Sequence, residues 1–385
     1  MKNSGGLNLY SSGRNACVLL SVCALLWPAA SFAQQYEQTN LIKGGDAPGL
    51  TATKTDANLV NPWGLARSTN GPWWIANNGT GTSTLYNGGG ETVPLVVTIP
   101  GSPGASPGNP TGIVFNGSQD FALQPDKPAL FLFVAEDGSV SGWNPDVPAA
   151  NSTTAITKVP GSAQSVLKGA TIAQKGESRY LYVADFRQGK VKVYDTHFQQ
   201  VWFYPWSFVD SRLPQGFAPF NVQNIGGNLY VAFAKQDEAK HDEVDGPGLG
   251  VVDVFSPDGC LLCRLEGGAW FNAPWGLAQA PGDFGSASHK LLVGQFGSGE
   301  ILIFDPVTGR FAGKLHGKGE NAVQIQGLWG ISFGSGTAPA PATASVQPSG
   351  PANVLFFTAG VNGEAGGLFG TLSPAAEDLI QGSDQ

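Results

Sequence analysis

Asn61-Pro62-Trp63-Gly64-Leu65-Ala66 returns as Asn272-Ala273-Pro274-Trp275-Gly276-Leu277-Ala278 and, altered, as Gly327-Leu328-Trp329-Gly330-Ile331. Weaker copies stand between them at Asn109-Pro110-Thr111-Gly112-Ile113, Lys168-Gly169-Ala170-Thr171-Ile172 and Ala218-Pro219-Phe220-Asn221-Val222. Copies recurring about every 50 residues have the spacing of β-propeller blades, in which each repeat is a small sheet that buries its faces only against its neighbours. Six copies predict six blades. Each copy is followed by a β-rich run, such as Trp73 to Ala76, Leu130 to Ala135 or Val354 to Thr358, and then, past a polar turn, by a third strand. In blade 1 all four strands can be read: Trp63 to Ala66, Trp73 to Ala76, Ser83 to Tyr86 and an outer run from Pro94 to Ile99.

The composition agrees with this reading. Of 385 residues, 42% are hydrophobic, 13% are charged and 54 are glycine, which describes a turn-rich all-β chain with almost no helical stretch. The expected fold is an all-β six-bladed β-propeller of four-stranded antiparallel blades, one domain over residues 34–374. The last blade lacks an outer run, while Tyr36 to Ile42 alternates as a strand should and belongs to no blade of its own. That N-terminal strand is expected to complete the last blade and close the ring, which removes exposed sheet edges. Residues 375–385 read as a flexible tail, and the Ala-Pro-rich stretch from Ala338 to Pro351 as a surface loop.

Residues 1–33 have the form of a secretion signal: Lys2 and Arg14, an apolar run from Ala16 to Trp27, then Ser31-Phe32-Ala33 as a small-x-small cleavage site. The apolar run is shorter than the ~20 residues that span a bilayer, so export to the periplasm or exterior is expected, with no membrane span in the mature chain. Removing Lys2 and Arg14 takes the net charge from −8 to −10. An acidic surface argues against nucleic acid and suits cations, small molecules, glycans or a protein partner. The mature chain keeps two cysteines, Cys260 and Cys263. On a straight strand they would lie ~10 Å apart on opposite faces, so a disulfide there requires a tight turn, and bonded and free forms both remain open.

Strand order locates a face. In an up-and-down blade, the loop entering the inner strand and the loop joining strands two and three emerge on the same side of the disc. The first set of loops presents Asn61, Asn109, Lys168 and Asn272. The second presents Asn77, Asn78, Glu136, Asp137, Asp185, Arg187, Lys235 to Asp237, Gln295 and Asn362 to Glu364. The expected ligand-binding face is therefore built by Asn61, Asn77, Asn109, Lys168, Asp185, Lys235, Asp237, Asn272, Gln295 and Glu364. Asn, Asp and Glu oxygens converging on an axis are the donors that calcium prefers, and Asn61, Asn109, Glu136, Asp185 and Asn272 are the candidate metal ligands. The same side chains also cap strand ends and turns, which is the competing explanation. Glu136 and Asp185 are the candidate acid and base if the face is catalytic. The polar loop from Ala234 to Gly248 holds the densest charge in the chain and reads as a rim or lid, or as a cation site. Trp63, Trp275 and Trp329 are expected to wedge between adjacent sheets. His197, His241, His289 and His316 fall at unrelated places in the repeat, and no HExxH, GxSxG or Walker pattern occurs.

Asn-Ala-Pro-Trp-Gly-Leu-Ala at 272–278, Ala-Lys-Gln-Asp at 234–237 ahead of Gly-Pro-Gly-Leu-Gly-Val-Val-Asp-Val-Phe at 246–255, and Phe-Phe-Thr-Ala-Gly at 356–360 with Gly-Leu-Phe-Gly at 367–370 carry a resemblance. Over nearly all the mature chain the sequence resembles an uncharacterised family of secreted bacterial six-bladed propellers, themselves similar to NHL-repeat propellers. Some members carry a C-terminal exosortase sorting signal, whereas this sequence ends past Leu379-Ile380-Gln381-Gly382 with no hydrophobic tail. The resemblance implies no single activity. The wider six-bladed group includes lactone-hydrolysing, lyase and strictosidine-synthase-like enzymes with a central metal, as well as binding proteins, and fold alone does not choose among them. The histidine trio of the amidating lyases is not matched. Two functions are carried forward: ligand binding at the amide-rich, acidic face, and calcium-type hydrolase or lyase chemistry at the same face.

Overall fold

The second strand of each repeat is the most apolar because it is covered on both faces. In the computed structural model, which describes residues 35–102, 107–317, 321–336 and 348–375, the strands Trp73–Asn77, Phe131–Ala135, Leu291–Gln295 and Leu355–Ala359 are buried at every position. A strand with a blade on either side reads as a continuous apolar run. The outer strand Thr92–Thr98 faces solvent instead and is exposed at alternate positions. The expected targeting segment, residues 376–385 of the expected tail and the stretch 337–347 lie outside the described residues.

Among the described residues six blade sheets result, beside a separate two-stranded ladder of Ala122–Gln124 with Lys127–Pro128. Blade 1 is Pro62–Arg67, Trp73–Asn77, Thr82–Tyr86 and Thr92–Thr98, close to the strands read from sequence. Blade 2 is Pro110–Phe115, Phe131–Ala135, Val140–Trp143 and Ile156–Val159; blade 3 is Leu167–Lys175, Ser178–Asp185, Lys190–Tyr194 and Gln200–Val201. Blade 4 is Phe217–Ile225, Asn228–Gln236, Gly250–Phe255 and Leu261–Arg264; blade 5 is Pro274–Gln279, Leu291–Gln295, Ile301–Phe304 and Phe311–Lys314. Blade 6 joins Leu328–Phe333, Leu355–Ala359 and Gly366–Pro374 to the first strand of the chain, Tyr36–Gly45. That strand runs antiparallel to Gly366–Pro374, from Tyr36 opposite Pro374 to Gly45 opposite Gly366, so the ring closes as the sequence predicts.

Six apolar clusters fill the spaces between successive blades; between blades 1 and 2, for example, Trp74 stacks on Phe131 at 4.2 Å. A seventh cluster draws Trp63, Phe186, Phe220, Trp275 and Trp329 from blades 1, 3, 4, 5 and 6. Trp63 and Phe220, from opposite sides of a six-membered ring, approach to 6.2 Å, so this cluster occupies the axis.

The backbone explains how. Each inner strand shifts register at the same point of the repeat, leaving Trp63, Thr111, Lys168, Phe220, Trp275 and Trp329 in the bulged segments. A bulge breaks the alternation of side chains and re-aims the residue it contains. In every blade but the fourth, where Asn221 stands, the glycine that follows lets the next blade approach: a Cβ on Gly64 would lie 2.7 Å from the Thr111 carbonyl oxygen, and one on Gly330 2.7 Å from that of Trp63. The three tryptophans therefore plug the axis by packing on one another, which corrects the expectation that they wedge between sheets. Trp63 stacks on Trp329 at 3.5 Å, and Trp275 meets both rings edge-on.

Candidate functional site

In blade 3 the repeat places Lys168 where three other blades place tryptophan. Its side chain is 0% exposed, and its ammonium stands 4.8 Å over the Trp63 ring. Such a buried cation requires anionic partners. Glu136 Oε1 lies 2.5 Å from Lys168 Nζ and Asp242 Oδ1 3.1 Å, the first from blade 2 and the second from a finger of blade 4. Burial works to lower the Lys168 pKa, but Glu136, Glu243 and Asp242 together outweigh it and hold the value above that of a free lysine. Lys168 is thus a fixed ammonium rather than an amine nucleophile.

A chain of hydrogen bonds runs outward from this pair. Asn78 Nδ2 donates to Glu136 Oε2 at 2.9 Å, and Asn61 Nδ2 donates to Glu364 Oε2 at 2.9 Å. Asn61 Oδ1 accepts from the Trp329 indole N–H at 3.0 Å, which links the polar cluster to the aromatic plug beneath it. Asn61 reaches both partners because its backbone is left-handed, with φ 44°, a conformation asparagine adopts more readily than most residues.

The finger comes from the charged loop of the sequence. The strand Asn228–Gln236 turns and pairs back with Glu243–Val244, Lys235 opposite Val244 and Gln236 opposite Glu243. The backbone N–H groups of Lys240 and His241 are taken up by Asp237, so the tip is tightly folded. Asp242 and Glu243 are carried to Lys168, and His241 Nδ1 lies 2.9 Å from Asp242 Oδ1. Asn272 Oδ1 accepts from Gly246 N–H at 2.6 Å and so pins the return of the loop, while Gln295 Oε1 holds the Asn272 backbone N–H.

Four carboxylates, Glu136, Asp242, Glu243 and Glu364, surround one ammonium, and their carboxyl groups respond differently. Asp242 is held below the ordinary value: burial raises it, but Lys168 and His241 more than compensate. Burial pushes Glu364 up, with Glu136 and Asp242 adding to it. Glu243 is pushed up to about 7, first by burial and then by Glu364 and Asp242, despite the opposing pull of Lys168. A folded-state value above the ordinary 4.5 means that the fold binds this proton more tightly than the unfolded chain. The stability it contributes is full below about pH 4.5 and is lost as pH rises through about 7. Glu243→Gln is expected to flatten this part of the stability profile; urea midpoints measured at about pH 5 and about pH 8 check it, and an unchanged slope would refute the assignment.

The expected site residues divide. Asn61, Glu136, Lys168 and Glu364 meet in this cluster, and Asn109 borders it through a 3.2 Å bond from its Nδ2 to the Asn78 carbonyl. Asp185 is elsewhere: it is fully buried, pairs with Lys192 at 2.9 Å and accepts from Val166 and Gln188 N–H, so it fixes its own blade. Asn77 bonds Thr82 and Thr84 within blade 1, and Lys235 reaches the Gln215 carbonyl at the rim. The five candidate metal ligands are therefore not gathered around one point. Structurally, Asn61 corresponds to Ala273, which shares its left-handed backbone with φ 49°, and Asn272 lies one residue earlier. Glu136, His241 and Asp242 do offer donor atoms within 4.8 Å of one another, and Lys168 Nζ stands against two of these three residues. Cys260 and Cys263 are exposed free thiols. Asp242 and Glu243 were not singled out from the sequence, although their loop was the most charged in the chain.

Beyond the plug the channel narrows to a cavity of about 50 Å³, whose lining includes Gly64, Gly112, Ala170, Asn221, Gly276 and Gly330, one from each inner strand.

No protein-family model matches the chain. The uncharacterised protein R648 of Acanthamoeba polyphaga mimivirus is 32% identical over 329 residues, covering 83% of this chain and 76% of its own. Protein L690 of the same virus, also uncharacterised, is 32% identical over 291 residues, 74% of this chain and 75% of its own. These relatives are viral, where the resemblance read from the sequence implied a bacterial family. Among solved structures, a Bacteroides thetaiotaomicron protein of unknown function aligns with a TM-score of 0.53 at 12% identity, over 89% of this chain and 76% of its own. That likeness is one of fold.

Proposed function

The chain belongs to the family of the mimivirus proteins R648 and L690, and we propose that it is an exported propeller that binds a positively charged small ligand, such as an alkylammonium or guanidinium group, at the polar end of its axis. The observation that carries this reading is the convergence of Glu136, Asp242, Glu243 and Glu364 on the single ammonium of Lys168. Four carboxylates beside one ammonium leave an excess of negative charge, and Glu243 and Glu364, raised first by burial, are raised further by their acidic neighbours. A ligand cation would relieve it, and binding would release protons near neutral pH. Asp242, the exposed member of the cluster, is the point of entry.

Calorimetric titration with putrescine, agmatine, calcium and glucose tests the reading. The amines are expected to bind more tightly at about pH 8 than at about pH 6, with Glu364→Gln weakening them about tenfold, the loss of ~1.4 kcal/mol. Calcium binding together with chelator-sensitive lactone hydrolysis would favour the hydrolase alternative. Glucose binding with no amine response would refute the cationic-ligand reading.

A further inference from the structure

Blade 3 differs from the other blades at its outer edge. Its fourth strand, Gln200–Val201, is two residues long and pairs only as Val201 with Val193 and Gln200 with Tyr194. Among the described residues no strand covers the outer edge of Lys190, Val191 and Lys192. The chain leaves the sheet as Trp202-Phe203-Tyr204-Pro205-Trp206-Ser207-Phe208-Val209. Phe208 is buried, and its backbone N–H is held by the Gly259 carbonyl of blade 4 at 2.8 Å, so the segment is anchored at its far end. Between the anchors Trp202 is 70% exposed, Trp206 59% and Tyr204 48%, and Tyr204 stacks on Trp206 at 4.9 Å with planes 6° apart. The gap between edge and segment is a cavity of about 210 Å³, lined by Lys190, Val191, Val193, Trp202, Phe203 and Tyr204 among others. Lys190 Nζ lies 5.9 Å from the Trp202 ring centre and Lys175 Nζ 4.8 Å from that of Phe203; among the described residues neither lysine forms an ion pair.

We infer that this recess is a second binding site, for an acidic glycan whose sugar rings lie on the exposed aromatic rings and whose carboxylates or sulfates meet Lys190. Each part of the recess matches a part of that ligand. The C–H face of a pyranose is apolar and covers an indole, while its hydroxyls both donate and accept, as an uncovered sheet edge demands. Lys190 supplies charge of the opposite sign on a protein that is otherwise acidic, and screening over ~8 Å at physiological salt confines the repulsion from distant carboxylates. An acyl chain would leave the edge N–H and C=O groups unpaired, which disfavours a membrane. A peptide strand would find an edge only three residues long before Trp202 blocks it, too short for a stable ladder.

Affinity electrophoresis in gels containing a polyuronate or a neutral glucan tests this, with the full chain and the variants Trp202→Ala, Trp206→Ala and Lys190→Gln. All three positions are exposed, and unchanged thermal midpoints confirm that the fold survives. Retardation by the polyuronate is expected, weakened about tenfold or more in each tryptophan variant, with Lys190→Gln losing the preference for the polyuronate over the glucan. Glu364→Gln, at the axial site, is expected to leave the retardation unchanged. The inference is overturned by no retardation, by retardation insensitive to Trp202 and Trp206, by binding to anionic vesicles in place of the polyuronate, or by self-association that disappears in the same variants.

Discussion

Replacement of Lys168 by methionine is expected to destabilise the folded chain by about 3–5 kcal/mol, the range seen when one partner of a buried ion pair is removed. The size follows from what is left behind. Methionine matches the length of the lysine stem and keeps its apolar contact with Trp63, so little packing is lost. What disappears is the ammonium beside Glu136 and Asp242, and with it the charge that opposes further rises in Glu243 and Glu364. Urea denaturation at about pH 8 measures the loss. Two controls separate charge from packing. Adding Glu136→Gln to Lys168→Met is expected to recover a large part of the stability, and so is lowering the pH to about 5, below the value of about 7 to which Glu243 is pushed. A variant as unstable at low pH as at high pH would show that lysine serves only as filler in the plug.

The second large effect lies one layer below. Trp329→Ala is expected to cost about 3–5 kcal/mol, as do other large-to-alanine changes in closed cores. The Trp329 ring is stacked on Trp63 at 3.5 Å and on Phe296 at 4.1 Å, and it meets Trp275 and Phe220 edge-on. These neighbours belong to blades held apart by their own sheets, so they cannot collapse into the space. The two stacked tryptophans also differ in a way that a milder substitution exposes. The Trp329 indole donates to Asn61, whereas the buried Trp63 N–H has no acceptor among the described residues. Trp329→Phe therefore strands the Asn61 oxygen at an expected cost of about 1–3 kcal/mol beyond packing, and Trp63→Phe does not. Because Asn61 also holds Glu364, Trp329→Phe is expected to weaken amine binding as well. Equal costs for the two phenylalanine variants, measured by thermal unfolding and calorimetry, would break the proposed link between plug and polar cluster.

The sequence made some parts of this site legible and hid others for physical reasons. Strand order alone puts Asn61, Glu136, Lys168 and Glu364 on one face, because loops of an up-and-down blade alternate between the two sides of the disc, and the structure brings these four into one cluster. Asp185 was placed on the same reasoning, but burial beside Lys192 made it a fixture of blade 3. Asn272 was equated with Asn61 because both precede a Pro-Trp-Gly; the extra Ala273 shifts it by one residue, enough to turn a site residue into a loop anchor. Asp242 and Glu243 were visible only as charge in a long loop. Which of its acids faces the axis depends on the hairpin register that sets Gln236 opposite Glu243, and charge patterning does not encode that register.

The repeat by itself determined the number of blades, their strand order and the closure by Tyr36–Gly45, since these follow from apolar period and from edges that must be covered. Only the tertiary structure decided that the bulged aromatics of blades 1, 4, 5 and 6 turn to the axis, and that a lysine in the same position gathers acids from blades 2 and 4 beside one from blade 6. Those contacts join residues up to 303 positions apart, Asn61 to Glu364, through bulges and ring closure. A local pattern records the spacing of such residues along the chain, while their meeting depends on the curvature of the whole ring.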